Sequence, residues 1–209
     1  MKAIIISVAF LLLVAMGCTT SRITYSWKSE NRAEKHYDKI LVLGLTHNAD
    51  HSLQQQMENH MVADLTDAGY HAVSSLSEFG PKVFDGMDEQ AAIRKLKNKG
   101  IDAILTITLL NKHKEKNYVP GRVYYPTSIG TSRFWDYRRG LTRIYEPGYF
   151  VVSTRYFWES NLYEMENQDL ICSVQTESFN PNSSQSLAHE YGEIIIQYLL
   201  NNKILQQVH

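Results

Sequence analysis

The run of residues 100–110, GIDAILTITLL, constrains the fold of this 209-residue chain more than any other stretch. Isoleucine and leucine occupy both sets of alternating positions, so a strand formed here has two apolar faces. This pattern is typical of a strand that is covered on both sides, and helices must then flank its sheet. The sequence therefore predicts a central strand in an α/β fold.

Two helix-to-strand junctions with the same spacing lead into this part of the chain. Each has a leucine, a glycine four residues later, then an alanine and a β-branched residue: Leu65, Gly69, Ala72, Val73 and Leu96, Gly100, Ala103, Ile104. A glycine directly after a helix favours a left-handed C-cap that reverses the chain. The repeat predicts two αβ units that place adjacent parallel strands in one sheet.

Hydrophobic periodicity predicts the remaining elements. We expect a short edge strand at 23–27, a strand at 39–45, a helix from 52 to Gly69 opened by a capping box of Ser52 and Gln55, and a strand at 70–74. A helix at 88–99 follows, and later strands at 150–164 and 170–179, then a helix opened by Ser183 or Ser184. The predicted fold class is α/β: a mixed sheet with a βαβαβ start, an aromatic insertion, a closing antiparallel ββ hairpin and a C-terminal helix.

The amino terminus has the architecture of a targeting segment. Lys2 gives a positive start, residues 3–15 are apolar, and Met16-Gly17-Cys18 forms a small-residue cleavage region. The apolar run is shorter than the roughly 20 residues that span a bilayer. V-A-M-G-C resembles the lipobox of bacterial lipoproteins, with Ala15 where leucine is commoner. The resemblance implies a signal peptide at 1–17 and lipidation, including palmitate, at Cys18.

In bacterial lipoproteins, the residue after the lipidated cysteine indicates the membrane to which the protein is delivered. Thr19 is not the aspartate that marks retention at the inner membrane, so the resemblance implies a cell outer membrane location, with the body facing the periplasm. Residues 18–37 are then a tether and 38–209 a single α/β domain. With Cys18 committed to lipid, Cys172 has no partner and is expected to be a buried free thiol. A formal charge of -1 argues against nucleic-acid binding.

The segments KILVLGL, LTDAGYHAV and NKGIDAILTITLL together resemble uncharacterised bacterial envelope lipoproteins. They are more distantly similar to the amino-terminal domain of TolB, the curli-secretion lipoprotein and the lipoprotein activators of penicillin-binding proteins. The likeness covers roughly residues 39–110 with the closing hairpin and helix. It implies the fold and carries over no catalytic residue.

Residues 117–149 form an insertion of different character. They hold six tyrosines, Phe134, Trp135, five arginines, three prolines and four glycines, with Asp136 and Glu146 as acids. Tyr, Trp and Arg supply most binding energy at interfaces, but the same side chains also suit a cluster that covers a sheet edge. Both interpretations stay open. The candidate binding surface comprises Tyr118, Tyr124, Tyr125, Arg133, Trp135, Arg138, Arg139 and Tyr145.

Catalytic and metal-binding patterns are weak. His47 and His51 with Asp50 follow the first strong strand, but they straddle a loop and a helix start without an evident third ligand. Glu159 and Glu164 lie on opposite faces of a strand, so with Glu166 they are expected to be ordinary exposed charges. Nucleophile-elbow, phosphate-loop and dinucleotide motifs do not occur. We therefore expect no enzyme, no metal and no cofactor.

The expected function is that of a lipid-anchored, periplasm-facing binding or scaffolding module. Its expected partners are the outer membrane, through the anchor, and an envelope protein or peptidoglycan. The alternatives are a cell-wall glycan-binding protein or hydrolase, and a subunit of an outer-membrane assembly or secretion complex.

Overall fold

The computed structural model describes residues 20–30, 35–46, 51–82, 84–123, 133–135, 138 and 145–206. The predicted signal peptide and Cys18 lie outside these residues. The strands are β1 (Ser21–Lys28), β2 (Ile40–Leu45), β3 (Ala72–Ser74), β4 (Ala103–Val119), β5 (Arg122–Val123), β6 (Tyr145–Glu146), β7 (Tyr149–Glu164) and β8 (Leu170–Phe179). The helices are α1 (His51–Asp67), α2 (Ser75–Phe79), α3 (Glu89–Asn98) and α4 (Ser184–Asn201).

The chain divides into two compact units. The first unit comprises Met1–Lys112 and Tyr156–His209, and the second unit comprises His113–Arg155. Strands β4 and β7 each have residues in both units. Of the described residues, no helix is both long and apolar enough to cross a membrane.

A six-stranded mixed sheet has the order β1-β8-β7-β4-β2-β3. Strand β2 pairs in parallel with β3 and with β4, and β1 pairs antiparallel with β8 at the edge. The predicted fold class and the predicted edge strand are therefore confirmed. One detail differs from the prediction, because β3 and β4 are not neighbours and β2 lies between them.

The repeated junction accounts for this arrangement. Gly69 and Gly100 have φ angles of +92° and +72°, as the left-handed C-cap requires. The residue after each glycine donates its N–H to the leucine carbonyl: Tyr70 to Leu65 at 2.9 Å and Ile101 to Leu96 at 3.2 Å. Because the two helices end in the same way, the alanines that follow take the same register on either side of β2. Ile40 pairs with both Ala72 and Ala103.

Helices cover the sheet unequally. On one face α1 and α4 pack against the main core, which contains Met57, Met61, Leu105, Trp158, Leu162, Cys172, Val174, Tyr191 and Ile195. On the other face α3, Phe79 and Phe84 pack against a smaller cluster of Leu41, Leu96, Ile101, Ile104 and Met165. Among the described residues, this second cluster includes none from β1, β7 or β8.

The ends of α1, β3 and β4 differ from the sequence prediction. Helix α1 begins at His51, so Ser52 is a helical residue and not its N-cap. Strand β3 is short because the chain enters α2, where the Ser74 hydroxyl accepts a hydrogen bond from the Ser77 N–H. Strand β4 continues to Val119, nine residues beyond the predicted end, through the polar segment after Leu110. Helix α4 has Ser183 as N-cap, within the predicted pair, and a capping box with Ser186.

Candidate binding surface

The second unit is the most basic part of the chain. It holds eight lysines and arginines against three acidic residues, whereas the whole chain has a formal charge of -1. Its regular part is formed by residues 113–119 of β4 and 149–155 of β7, two neighbouring strands. We call these two segments the aromatic ribbon. Lys114 and Lys116 lie on its first strand, and Arg155 lies on its second.

Phe150 is the centre of the contacts in the ribbon. Its ring lies 5.1 Å from the Tyr118 ring, and the Lys116 Nζ lies 4.3 Å from its centroid. A cation at this distance is attracted by the ring quadrupole. Phe150 is nevertheless 58 % exposed and Tyr118 is 57 % exposed. The cluster therefore stays accessible to a partner.

Apolar side chains are exposed on both sides of the ribbon. Tyr149, Phe150, Val151 and Val152 are consecutive, and all four are exposed. Because successive side chains of a strand point to opposite faces, neither face of this segment is covered by the described residues. The described residues of the second unit also contribute no buried hydrophobic side chain. Two strands of this kind gain little stability by themselves.

Ion pairs and close contacts fix the shape of the ribbon. The Glu115 carboxylate lies 3.6 Å from the Arg155 Nε and 3.9 Å from the His113 Nε2. At the other end, a Cβ at Gly148 would overlap the Tyr118 hydroxyl, so only glycine fits there without moving the tyrosine. Glu115 is the acidic member of residues 113–119, so the lysines dominate the charge of that strand.

A second aromatic and cationic group occurs at residues 133–135 and 138. Phe134 and Trp135 meet edge to face at 5.3 Å, and the Arg138 guanidinium lies 5.4 Å from the Trp135 ring. Phe134 is 69 % exposed and Trp135 is 60 % exposed. Arg133 and Arg138 are exposed as well. This short segment repeats the chemistry of the ribbon.

The structure describes only part of the surface that the sequence singled out. Tyr118, Arg133, Trp135 and Arg138 are exposed in the second unit. Tyr124, Tyr125 and Arg139 lie outside the described residues, and Tyr145 is described only by its backbone pairing with Val123. Sequence reasoning missed Lys116, Phe150 and Arg155, which lie outside 117–149. Lysines at alternating positions 112, 114 and 116 were the available signal of a solvated strand.

The hairpin carboxylates differ from their expected exposure. Glu164 is buried, because strand alternation puts it on the same side as Leu162 in the core, and it forms an ion pair with Lys35. Glu166 is exposed and also contacts Lys35, at 3.1 Å. Glu159 is half-buried and accepts hydrogen bonds from the amides of Asn161 and Gln175. The prediction of ordinary exposed charges is therefore wrong for Glu164.

The histidine pattern after β2 has only one described member. His51 is exposed at the start of α1, while His47 and Asp50 lie outside the described residues. Within the described part of the chain, three or more His, Cys, Asp or Glu residues do not come together as metal ligands anywhere. Cys172 is the buried thiol expected from its strand, 1 % exposed, and burial raises its pKa to about 12.

Comparison with known proteins gives low similarity. No family model and no curated protein matches the chain. Among solved structures, it is similar to the PelC dodecamer from Paraburkholderia phytofirmans, with 9 % identity, a TM-score of 0.48, and 90 % of this chain and 99 % of that chain covered. It is also similar to lipoprotein GNA1162 from Neisseria meningitidis, with 17 % identity, a TM-score of 0.43, and coverages of 78 % and 99 %. Likenesses of this size carry no argument about function.

Proposed function

We propose that this protein is a lipid-anchored envelope protein that acts as a non-catalytic binding module, and that the aromatic ribbon contacts an acidic partner. The observation that carries the proposal is the exposed cluster of Phe150, Tyr118 and Lys116 in a unit with a large basic excess. Exposed aromatic residues beside cations are enriched where proteins bind others.

The basic side chains and the aromatic rings have separate roles in this binding. The basic side chains attract an anionic partner over a distance of about one Debye length, so the association rate falls as salt rises. The rings of Tyr118 and Phe150 then lose their contact with water, which contributes the part of the affinity that salt does not screen. An acidic polypeptide and an acidic polysaccharide both meet these requirements.

The proposed location rests on the amino-terminal sequence. The V-A-M-G-C lipobox supports lipidation at Cys18, and Thr19 supports delivery to the outer membrane with the body facing the periplasm. A body held at the membrane by the lipid on Cys18 then presents its binding surface to envelope proteins or peptidoglycan. We propose no catalytic role, because the half-buried Glu159 is held by amide groups and Glu164 is paired with a lysine.

The test compares two charge reversals of equal size in the full-length protein. Lys114→Glu with Lys116→Glu alters the ribbon, and Arg94→Glu with Lys97→Glu alters exposed positions on α3 of the first unit. The probes are polyglutamate and polygalacturonate, with neutral dextran as the reference. We expect the ribbon variant to lose about 10-fold or more in affinity for at least one polyanion, and the α3 variant to lose much less.

Phe150→Ala tests the contribution of the aromatic ring separately from the electrostatic attraction of the basic side chains. It leaves every charge in place, so we expect weaker binding with an unchanged dependence on salt. Equal losses in the two charge-reversed proteins would show unspecific attraction to the whole chain and would contradict the proposal. Absence of polyanion binding by the unaltered protein would contradict it as well.

A further inference from the structure

Among the described residues, no helix lies over one part of the sheet in the first unit. Alternation along β7 and β8 sends Trp158, Leu162, Cys172 and Val174 into the main core, and sends Glu159, Asn161, Ser173 and Gln175 to the opposite face. There all four of these polar residues are half-buried. The second hydrophobic cluster covers the opposite face near β2 and β4, and its described members include none from β1, β7 or β8.

A bulge in β1 adds two aromatic rings to this surface. Ile23 pairs with Thr176, but the register shifts before Tyr25, which pairs with Gln175, and Trp27 pairs with Ser173. The extra residue changes which side chains point to which face. Tyr25 and Trp27 therefore lie on the helix-free side and are 55 % and 42 % exposed, whereas Ile23 lies on the other side of the same strand. We call Tyr25, Trp27, Ser173, Gln175, Glu159 and Asn161 the open face.

Hydrogen bonds hold the polar centre of the open face in place. One Glu159 oxygen accepts from the Gln175 Nε2 at 2.9 Å, and the other accepts from the Asn161 Nδ2 at 3.0 Å. The Asn161 backbone N–H in turn donates to the Thr106 hydroxyl at 3.2 Å. Counting only bonds within the described part of the chain, each carboxylate oxygen can accept a further bond, and the Gln175 amide keeps one N–H and its carbonyl. The groups are thus fixed before any ligand arrives.

The distribution of polar and aromatic groups is unlike that of a protein interface. Protein interfaces have an apolar core inside a polar rim. On the open face the order differs, because the fixed amides and the carboxylate lie between rings: Tyr25 and Trp27 are on edge strand β1, and alternation along β7 puts Phe157 and Tyr163 on either side of Glu159 and Asn161. A pyranose chain matches this order, since its hydroxyls need fixed donors and acceptors and its C–H faces stack on aromatic rings.

We propose that the open face binds an uncharged glycan chain, with Trp27 and Tyr25 stacked on sugar rings and with Gln175 and Glu159 bonded to sugar hydroxyls. The charge of the site favours a neutral chain. Both hydrogen-bond donors to Glu159 in the described residues are neutral amides, so the carboxylate repels anionic sugars and accepts strong bonds from hydroxyls. From β1 to β4 the face extends about 14 Å, room for about three sugar rings.

The experiment uses the full-length protein in detergent and two soluble probes, cellohexaose and the hexamer of N-acetylglucosamine, with binding measured by calorimetry. The two hexamers separate plain glucose chains from acetylated amino sugars. We expect one of them to bind, with Trp27→Ala and Gln175→Ala each weakening it by about 10-fold or more. Ile23→Ala is the matched control, an exposed apolar residue of the same strand on the other side, and is expected to bind normally.

The outcomes also separate this site from the aromatic ribbon. Phe150→Ala is expected to leave hexamer binding unchanged, since Phe150 belongs to the second unit. Failure of both hexamers to bind the unaltered protein at millimolar concentration overturns the proposal. So does an equal loss in Ile23→Ala, or a change of oligomeric state in Trp27→Ala, which would make the face a contact between copies. Thermal unfolding of each variant confirms that the comparison is between folded proteins.

Discussion

The N–H of Ile101 donates to the carbonyl of Leu96 at 3.2 Å, closing the end of α3 just before β4 begins. Both side chains are buried in the smaller hydrophobic cluster. This bond and the contact between its two residues form a Schellman motif, and the motif requires a left-handed residue between them. Gly100 is that residue, and a Cβ there would have open space around it, so only its backbone conformation restricts substitution.

The first prediction concerns this glycine. Gly100→Val is expected to cost about 1–3 kcal/mol, because a β-branched residue is strained at positive φ. Lys97→Ala, an exposed change in the last turn of the same helix, should cost less than about 0.5 kcal/mol. Denaturant unfolding measures both. Equal losses of stability would contradict the C-cap as the reason for glycine at this position.

The second prediction concerns Glu58, which is fully buried in α1. Its carboxylate accepts from the Gly44 and Leu76 N–H groups, each at 2.9 Å, and from the side chains of Gln54 and Ser74. Glu58→Gln puts an N–H₂ group among these donors, so we expect a loss of about 2–4 kcal/mol. Glu89→Gln, at an exposed position of α3, is the control. A small effect at Glu58 would show that the network rearranges around the amide.

These two sites show how far the sequence predicts the structure. The glycine junction was predictable because its signal is local, within about five residues of the chain. Glu58 was not, since it lies next to Met57 on a helix and its partners are on two other strands and a helix. The burial and ion pair of Glu164 were not predicted for the same reason, because its partner Lys35 is far away in sequence.

The candidate sites show the same difference between local features, which the sequence predicts, and long-range contacts, which it does not. Composition alone identified Tyr118 and Trp135 as candidates for exposed aromatic residues. It did not place Phe150 and Lys116 together, since they lie on separate strands whose pairing depends on tertiary structure. The sequence alone did not predict the open face, because the bulge after Ile23 determines which side of β1 carries Tyr25 and Trp27.

The third prediction uses Cys172 as a reporter of burial. Burial raises its pKa from its ordinary value of 9.0 to about 12. The folded state therefore keeps a proton that the unfolded state loses, so this thiol contributes stability below pH 9 that is lost as pH rises towards 12. Between pH 9 and 10 we expect the free energy of unfolding to fall by up to about 1.4 kcal/mol per pH unit more than in Cys172→Ala.

Thiol labelling checks the same assignment independently. Iodoacetamide at pH 8 should modify Cys172 slowly in the folded protein and rapidly after unfolding, because the thiolate is the reactive form. Burial also raises the pKa of Tyr191, which would add the same trend at higher pH in both proteins. The comparison is therefore made below pH 10. Identical pH slopes for the two proteins would contradict the assignment.

The fourth prediction concerns the anchor. Cys18→Ala is expected to leave the body folded and to release it from membranes, because the lipobox cysteine is its proposed attachment. Cell fractionation measures the distribution, and circular dichroism of the released protein checks its fold. If the variant still sediments with outer membranes, the protein has another membrane contact or a different anchor.

The last prediction follows from the division of the chain into two units. All buried hydrophobic side chains of the described residues belong to the first unit, so removal of the second unit leaves its core complete. The junction can close, because the Lys112 Nζ lies only 4.9 Å from the Tyr156 ring on the neighbouring strand. We therefore replace residues 113–155 by a short Gly/Ser linker, and the cost of closing this shorter loop is small.

We expect this deletion variant to unfold cooperatively, with a midpoint within a few degrees of the full-length protein. It should lose polyanion binding, which we assign to the aromatic ribbon, and keep binding of the neutral hexamer, which we assign to the open face. Tyr118→Gly in the full-length chain is a milder variant, and it should weaken polyanion binding in the same direction. Unfolding of the deletion variant would mean that residues 113–155 cover the core, and the second unit would then be structural and not a binding site.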